Sequence, residues 1–383
     1  MRISIVTDAW HPQVNGVVRT LIKITDLLER NGHVVQIVTA EDRPAFGLPT
    51  YPEIRLAIAS ATGIGNEIAA FEPDAIHIAT EGTLGLAARR FCLRHELPFT
   101  SGYHTRFPEM IRMRLPLPGV EATVHRWFRW FHDPSQCVMV PTPSMANVLK
   151  EKGFSNVVTW TRGVDHELFR PRRTDDQTGH ADLAGHADLA GPADITNLAR
   201  PIALYAGRVA VEKSLPDFLD LDLQGSKVVV GDGPMLEEIK ARYPDVIFTG
   251  YLSGQTLAQT IAAADVFVFP SRTDTFGLVM IEALASGVPV AAFDVPGPRD
   301  IITTDEVGAV GDDLGHAIDH ALTCRPERCR EHALHFTWDR SAEQFHDYLT
   351  PLDALNKDQL KQLASVSRQR PAMPFSHRWK GTS

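Results

Sequence analysis

The sequence predicts an α/β protein of two Rossmann-like domains, and three observations carry that expectation. The chain has 383 residues, which suits two domains of roughly 150 to 200 residues each. Short β-branched runs alternate with helical stretches, the pattern of βα units around a mostly parallel sheet. That alternation stops at Arg170-Pro171-Arg172-Arg173 and resumes near Ile202, so two such units flank a connector.

In the first unit, Ile3 to Thr7, Val34 to Thr39, Ala75 to Ala79 and Val138 to Pro141 read as strands, and Val17 to Arg30 as a helix. The second places strands at Ile202 to Tyr205, Lys227 to Val230, Val246 to Thr249, Val266 to Phe269 and Val288 to Phe293. Trp338 to Leu349 has helical apolar spacing. A polar tail from Asp353 carries Lys357, Lys361, Arg368, Arg370, Arg378 and Lys380, and is expected to be flexible with a weak affinity for membrane surfaces. The expected boundaries are 1–170, a low-complexity linker at 171–199, a second domain at 200–335, a helix at 336–350 and a basic tail at 351–383.

The linker holds His180-Ala181-Asp182-Leu183-Ala184-Gly185, repeated at once from His186 to Gly191. Its His and Asp invite a metal reading, but a duplicated Ala/Gly-rich spacer needs no ligand, and the spacer reading is preferred. A net charge of −9 argues against nucleic-acid binding, which calls for a basic excess to neutralise phosphates. Cys92, Cys137, Cys324 and Cys329 lack disulfide-scaffold or zinc-site spacing and read as reduced thiols. No run approaches about 18 apolar residues and an acid, Asp8, comes too early for a signal peptide, so the expected location is cytoplasmic, at most peripheral on the inner face of the plasma membrane.

The segment Pro270-Ser271-Arg272-Thr273-Asp274-Thr275-Phe276-Gly277-Leu278-Val279 follows an apolar strand and opens a helix, where open α/β sheets bind ligands. The amides of Gly277, Leu278 and Val279 would be unpaired donors of a first helical turn, an anion seat that needs no metal. Asp274 precedes the helix and Glu282 sits further along it, so the two carboxylates can serve different polyols; a helix cap and a solvated side chain are the plainer alternatives. Upstream, Gly207-Arg208 follows another strand and Lys213 comes five residues on, two cations suited to a departing diphosphate. Val230-Gly231-Asp232-Gly233-Pro234 is a further glycine turn.

These segments resemble the glycosyltransferase family 4 pattern G-R-x(4)-K followed by E-x(7)-E, on the two-domain GT-B fold with a C-terminal helix crossing back to the N-terminal domain. The resemblance implies that Arg208 and Lys213 contact the diphosphate, Asp274 holds sugar hydroxyls, backbone from Phe276 to Val279 holds sugar and phosphate, and Glu282 binds ribose. The first acid of the family pair is usually Glu, and here it is Asp274, one methylene shorter. Gly231 and Gly233 resemble the family's turn near the nucleotide. Gly16, after the first strand, matches its amino-terminal glycine loop, and Tyr103-His104-Thr105 matches its aromatic-His-Thr element, putting His104 near the reacting carbon. Retention is implied, with attack and departure on one face and no metal or other cofactor, the nucleotide sugar being a substrate. Asp220-Leu221-Asp222 imitates a metal-binding D-x-D but reads as surface acids.

Between Arg106 and Phe131, Arg112, Arg114, Arg126 and Arg129 interleave with Phe107, Met110, Ile111, Met113, Trp127, Phe128 and Trp130. Such a stretch suits a lipid interface, and equally a packed helix with a wet face. Within the family the chain looks most like bacterial glycolipid synthases of the sulfoquinovosyl-, glucosyl- and mannosyl-diacylglycerol type. The expectation is a hexosyltransferase moving sugar from UDP- or GDP-hexose to a lipid, diacylglycerol being the expected acceptor. A transferase acting on a soluble or polysaccharide acceptor, or a non-catalytic nucleotide-sugar-binding regulator, are the alternatives.

Overall fold

The computed structural model describes residues 1–13, 15–41, 43–48, 51–114, 117–172 and 195–369. The amino-terminal domain runs β1 (Arg2–Val6), α1 (Gly16–Arg30), β2 (Val34–Val38), β3 (Ala45–Leu48), β4 (Tyr51–Ala57), α2 (Ala61–Phe71), β5 (Ala75–Ile78), α3 (Thr83–Arg94), β6 (Thr100–Gly102), α4 (Phe107–Arg114), α5 (Val120–His132), β7 (Val138–Val140), α6 (Pro143–Glu151) and β8 (Val157–Thr159). Six of these strands form a parallel sheet in the order β2-β1-β5-β6-β7-β8, while β3 and β4 pair as an antiparallel hairpin. The expected strands all appear, and the sheet adds the three-residue strands β6 and β8.

The second domain repeats the plan with β9 (Ile202–Ala206), α7 (Leu215–Leu219), β10 (Ser226–Val230), α8 (Leu236–Arg242), β11 (Ile247–Gly250), α9 (Gly254–Ala262), β12 (Val266–Phe269), α10 (Leu278–Ala285), β13 (Val290–Phe293), α11 (Pro298–Ile301), β14 (Gly308–Gly311), α12 (Leu314–Ala321) and α13 (Pro326–Ala333). Its sheet order is β11-β10-β9-β12-β13-β14, again parallel. β9, β12 and β13 are buried throughout, as strands covered by helices on both faces must be. In each sheet the winding reverses between two central strands, β1 and β5 in the first and β9 and β12 in the second. A crevice opens beyond the carboxyl ends of such a pair, and these ends carry the candidate residues.

After α13 the chain returns as α14 (Trp338–Tyr348), which packs on α1. Phe345 is fully buried against Trp160, with ring centroids 4.9 Å apart, and Trp160 Nε1 donates to the Ser341 carbonyl at 2.9 Å. The crossing helix is thus part of the amino-terminal core.

The tail expectation needs correcting. Residues 354–369 form α15 (Ala354–Gln369), which packs on α2. Leu352, Leu360 and Ala364 enter the core cluster that includes Ile64 and Ile68, and Lys357 pairs with Asp74 at 2.6 Å. The apolar residues are sparse but lie one or two helical turns apart, so a basic surface hides a narrow docking stripe. Residues 370–383 and the His/Asp repeat at 180–191 lie outside the described residues.

Candidate active site

Two loops at the β9–β12 reversal are laced together. Ser271 Oγ and Thr273 Oγ1 both donate to the Glu212 carbonyl at 3.3 Å. This brings Lys213 Nζ to 2.7 Å from both carboxylate oxygens of Asp274. The two residues implied to hold different parts of a donor are therefore paired with each other, and a diphosphate at Lys213 would have to share or split that pair. Arg208 is half-buried just beyond β9, its carbonyl accepting from Tyr205 Oη at 2.8 Å.

Gly277 caps α10 with φ 94° and ψ 74°, a left-handed conformation, and no side chain caps the helix start. A Cβ there would sit 2.7 Å from Met280 Cε and 2.9 Å from Phe269 Cζ, so glycine is required on both conformational and steric grounds. Asp274 is thus not the helix cap. A Cβ on Gly16 would lie 3.6 Å from Leu278 Cδ1, so the glycine loop after β1 does face the start of α10. Phe276 turns its ring into the core against Phe336, leaving only its backbone to the loop, and Leu278 is buried while Val279 is partly so.

Glu282 is 2% exposed and forms an ion pair through Oε1 with Arg19 of α1, across the domain boundary. Its Oε2 is buried without a partner among the described residues. Asp274 and Glu282 thus take different side-chain partners, Lys213 and Arg19.

Gly231 and Gly233 have a plainer explanation than ligand contact. A Cβ on Gly231 would lie 1.8 Å from the Gly207 carbonyl oxygen, and one on Gly233 2.3 Å from that of Val209. Their lack of side chains lets the turns after β9 and β10 pack, with Val209 N donating to the Asp232 carbonyl at 2.9 Å. Asp220 is a surface acid, held by Arg242 at 3.0 Å and Tyr243 Oη at 2.6 Å.

His104 stands at the carboxyl end of β6 and its carbonyl accepts from Thr275 Oγ1 at 2.6 Å, another contact across the boundary. Its Nδ1 lies 3.2 Å from a terminal nitrogen of Arg162, a buried arginine stacked on Trp160, and its Nε2 is enclosed without a partner among the described residues. Burial first, then the Arg162 charge, holds the imidazole well below its ordinary pKa; burial also lowers Arg162 to about 9. His104 is therefore neutral near pH 7 while Arg162 remains charged.

Arg19, Arg162 and Thr275 were not singled out by sequence reasoning. Arg19 had a usable signal, since three residues past Gly16 returns a helix to nearly the same face. Arg162 had none, because only the fold brings the chain that follows β8 within reach of His104. One further group offers metal-ligating types among the described residues: Glu109, Glu121 and His125, whose ligand atoms lie within 4.8 Å of one another between α4 and α5. Arg106 already holds Glu109 and Arg112 holds Glu121.

The aromatic, arginine-rich segment divides between its two readings. On α5, His125, Phe128, Phe131 and His132 point inward, whereas Trp127 and Trp130 are 39% and 47% exposed beside exposed Arg126 and Arg129. Arg89 stacks 3.9 Å from the Trp130 ring centroid and donates to the Trp130 and Phe131 carbonyls, which fixes the helix end. No described helix is long and apolar enough to cross a membrane.

Comparison with known proteins agrees with this architecture. Residues 14–168 match Glycosyltransferase Family 4 and residues 200–323 match Glycosyl transferases group 1. A GDP-mannose-dependent alpha-mannosyltransferase of Mycolicibacterium smegmatis is 30% identical over 340 residues, 82% of this chain and 84% of that one. The alpha-monoglucosyldiacylglycerol synthase of Streptococcus pneumoniae is 28% identical over 375 residues, 90% and 83% of the two chains. Among solved structures, sucrose-phosphate synthase from Thermosynechococcus elongatus superposes with a TM-score of 0.69 at 21% identity, covering 90% of this chain and 97% of that one, a likeness of fold. With two parallel-sheet halves facing each other across paired glycine loops, the chain has the GT-B fold and is a glycosyltransferase of family 4.

Proposed function

We propose that the protein transfers a hexose, with retention and without a metal ion, from a UDP- or GDP-hexose to the hydroxyl of a membrane lipid, diacylglycerol, at the inner face of the plasma membrane. The observation that carries this reading is the meeting of Gly16 with the uncapped start of α10, just after the Asp274 that Lys213 holds. Negative charge grows on the diphosphate as its bond to the anomeric carbon breaks. Helix amides, Arg208 and Lys213 stabilise that charge, Lys213 by sharing or leaving its pair with Asp274. Asp274 then serves sugar hydroxyls, Glu282 Oε2 the ribose, and His104 lies beside the reacting carbon. The acceptor attacks the face the phosphate leaves.

Exposed Trp127 and Trp130 with neighbouring arginines support a lipid acceptor, since indole rings favour the headgroup layer and cations its anionic lipids. The similarity to an alpha-monoglucosyldiacylglycerol synthase supports it further.

The test is incubation with radiolabelled UDP-glucose or GDP-mannose and diacylglycerol vesicles, with and without EDTA. The expected product extracts into chloroform, keeps the donor's anomeric configuration and forms equally with chelator. A label confined to water would refute the lipid acceptor, inversion the retaining course, and loss with EDTA the metal independence. Lys213→Ala should lower transfer by about 10²- to 10³-fold in a folded protein.

A further inference from the structure

We propose that Glu81 is an acceptor-side residue of this site: its carboxylate receives the acceptor hydroxyl and takes its proton as the glycosidic bond forms. The inference rests on the transferase reading above and extends it to the acceptor half.

Glu81 follows β5 at the carboxyl edge of the amino-terminal sheet. In that sheet β5 lies between β1 and β6. The loop after β1 reaches α10 through Gly16 and Arg19, and the end of β6 reaches Thr275 through the His104 carbonyl. The strand end bearing Glu81 thus lies between two strand ends that touch the donor domain, one strand, about 5 Å, from that of His104.

Both the backbone and the side chain of Glu81 are held. Asp8 accepts from Thr80 Oγ1, Thr83 Oγ1, Leu84 N and Gly85 N, which pins the 80–85 turn. A Cβ on Gly82 would fall 2.3 Å from the Asp8 carboxyl carbon, so the turn closes directly over Asp8. Glu81 Oε1 accepts from His132 Nε2 at 3.0 Å, and His132 Nδ1 lies 2.8 Å from Ser101 Oγ. His132 is fully buried, packed among Tyr103, Phe128, Phe131 and Phe154. The relay leads outward from the core to one carboxylate, whose side chain remains 9% exposed.

Satisfying His132 alone does not require a charge. A backbone carbonyl or an amide would accept the same hydrogen bond without the cost of desolvating a carboxylate. Among the described residues Glu81 has no arginine or lysine partner, unlike Glu282 and Asp274. A carboxylate with no arginine or lysine beside it repels phosphate and suits an uncharged alcohol, so the acceptor presents a neutral hydroxyl at this point. In the transfer, the acceptor oxygen bonds to the anomeric carbon while the carbon–phosphate oxygen bond breaks and its electron pair leaves with the diphosphate. The hydroxyl proton passes to Glu81 and then to solvent.

The test compares wild type, Glu81→Gln and Glu81→Ala as full chains. Donor affinity is measured by calorimetry with UDP-glucose and GDP-mannose, transfer with dioleoylglycerol in phosphatidylglycerol vesicles, and folding by thermal melting. Gln still accepts from His132, so its melting temperature and donor affinity should match wild type, the latter within about twofold. It cannot take a proton, so transfer should fall about 100-fold, and Ala should fall at least as far. Transfer by Glu81→Gln within threefold of wild type overturns the proposal, as does donor affinity falling in parallel with transfer. Wild-type protein that binds no nucleotide sugar overturns the transferase reading and this proposal with it, a result read without any variant.

Discussion

The Arg19–Glu282 pair is asymmetric, and removing either partner should have unequal effects. Glu282 is 2% exposed, whereas the Arg19 side chain is 43% exposed. Arg19→Ala strands a carboxylate where water does not reach. Breaking a fully buried pair costs roughly 3 to 5 kcal/mol, and discounting for the half-exposed arginine leaves about 2 kcal/mol. Glu282→Gln leaves a guanidinium that water already solvates, for a cost below about 1 kcal/mol. The partners belong to different domains, so opening the cleft relieves the penalty before unfolding does. Arg19→Ala should shift the ligand-free closed-to-open ratio by roughly 30-fold toward open, with little change in melting temperature, and Glu282→Gln should shift it far less. Small-angle scattering or interdomain energy transfer on ligand-free protein reads the difference. Arg19→Ala scattering that superposes on wild type, or Glu282→Gln opening as far as Arg19→Ala, would refute the reasoning.

Three further outcomes follow from the packing and the electrostatics. Phe345→Ala empties a fully buried site between Trp160 and His77 and should cost about 3 to 5 kcal/mol in urea unfolding, followed by tryptophan fluorescence; a loss below about 1 kcal/mol would mean that α14 is not part of the core. Trp127→Ala with Trp130→Ala removes the ring stacked on Arg89 and should lower melting modestly while weakening sedimentation with anionic vesicles about tenfold or more, and unchanged sedimentation would remove α5 from the lipid contact. Burial lowers His77 to about 3, so the unfolded chain takes up its proton below pH 6.5 while the folded protein does not. Stability should therefore fall as pH drops from about 6.5 to about 3, by about 1.4 kcal/mol per pH unit from this residue, and His77→Gln should flatten that slope in urea titrations at several pH values.

Much of the candidate site's second-domain half was legible as loops and helix starts because those signals are local. The glycine turn at Gly277 announces a helix after an apolar strand, and Arg208, Lys213, Asp274 and Glu282 sit at spacings fixed by one turn or one helix. At Gly231 and Gly233 the close approach that glycine marks is to the Gly207–Val209 backbone, a neighbour that only the fold supplies. The tail was misjudged because Leu352, Leu360 and Ala364 are too few to outweigh its charges until α2 offers them a surface.

By itself, the sequence determined the two parallel α/β domains, the strand ends that bear the donor motif and the family to which they belong. Strand periodicity, glycine geometry and charge spacing are encoded over a few residues. Only the tertiary structure decided which groups meet: Lys213 with Asp274, Arg19 with Glu282, Arg162 with His104, and Glu81 with the buried His132. Each pair joins residues tens to hundreds of positions apart, and the burial that sets their energies exists only once the sheets and the crossing helix have closed around them.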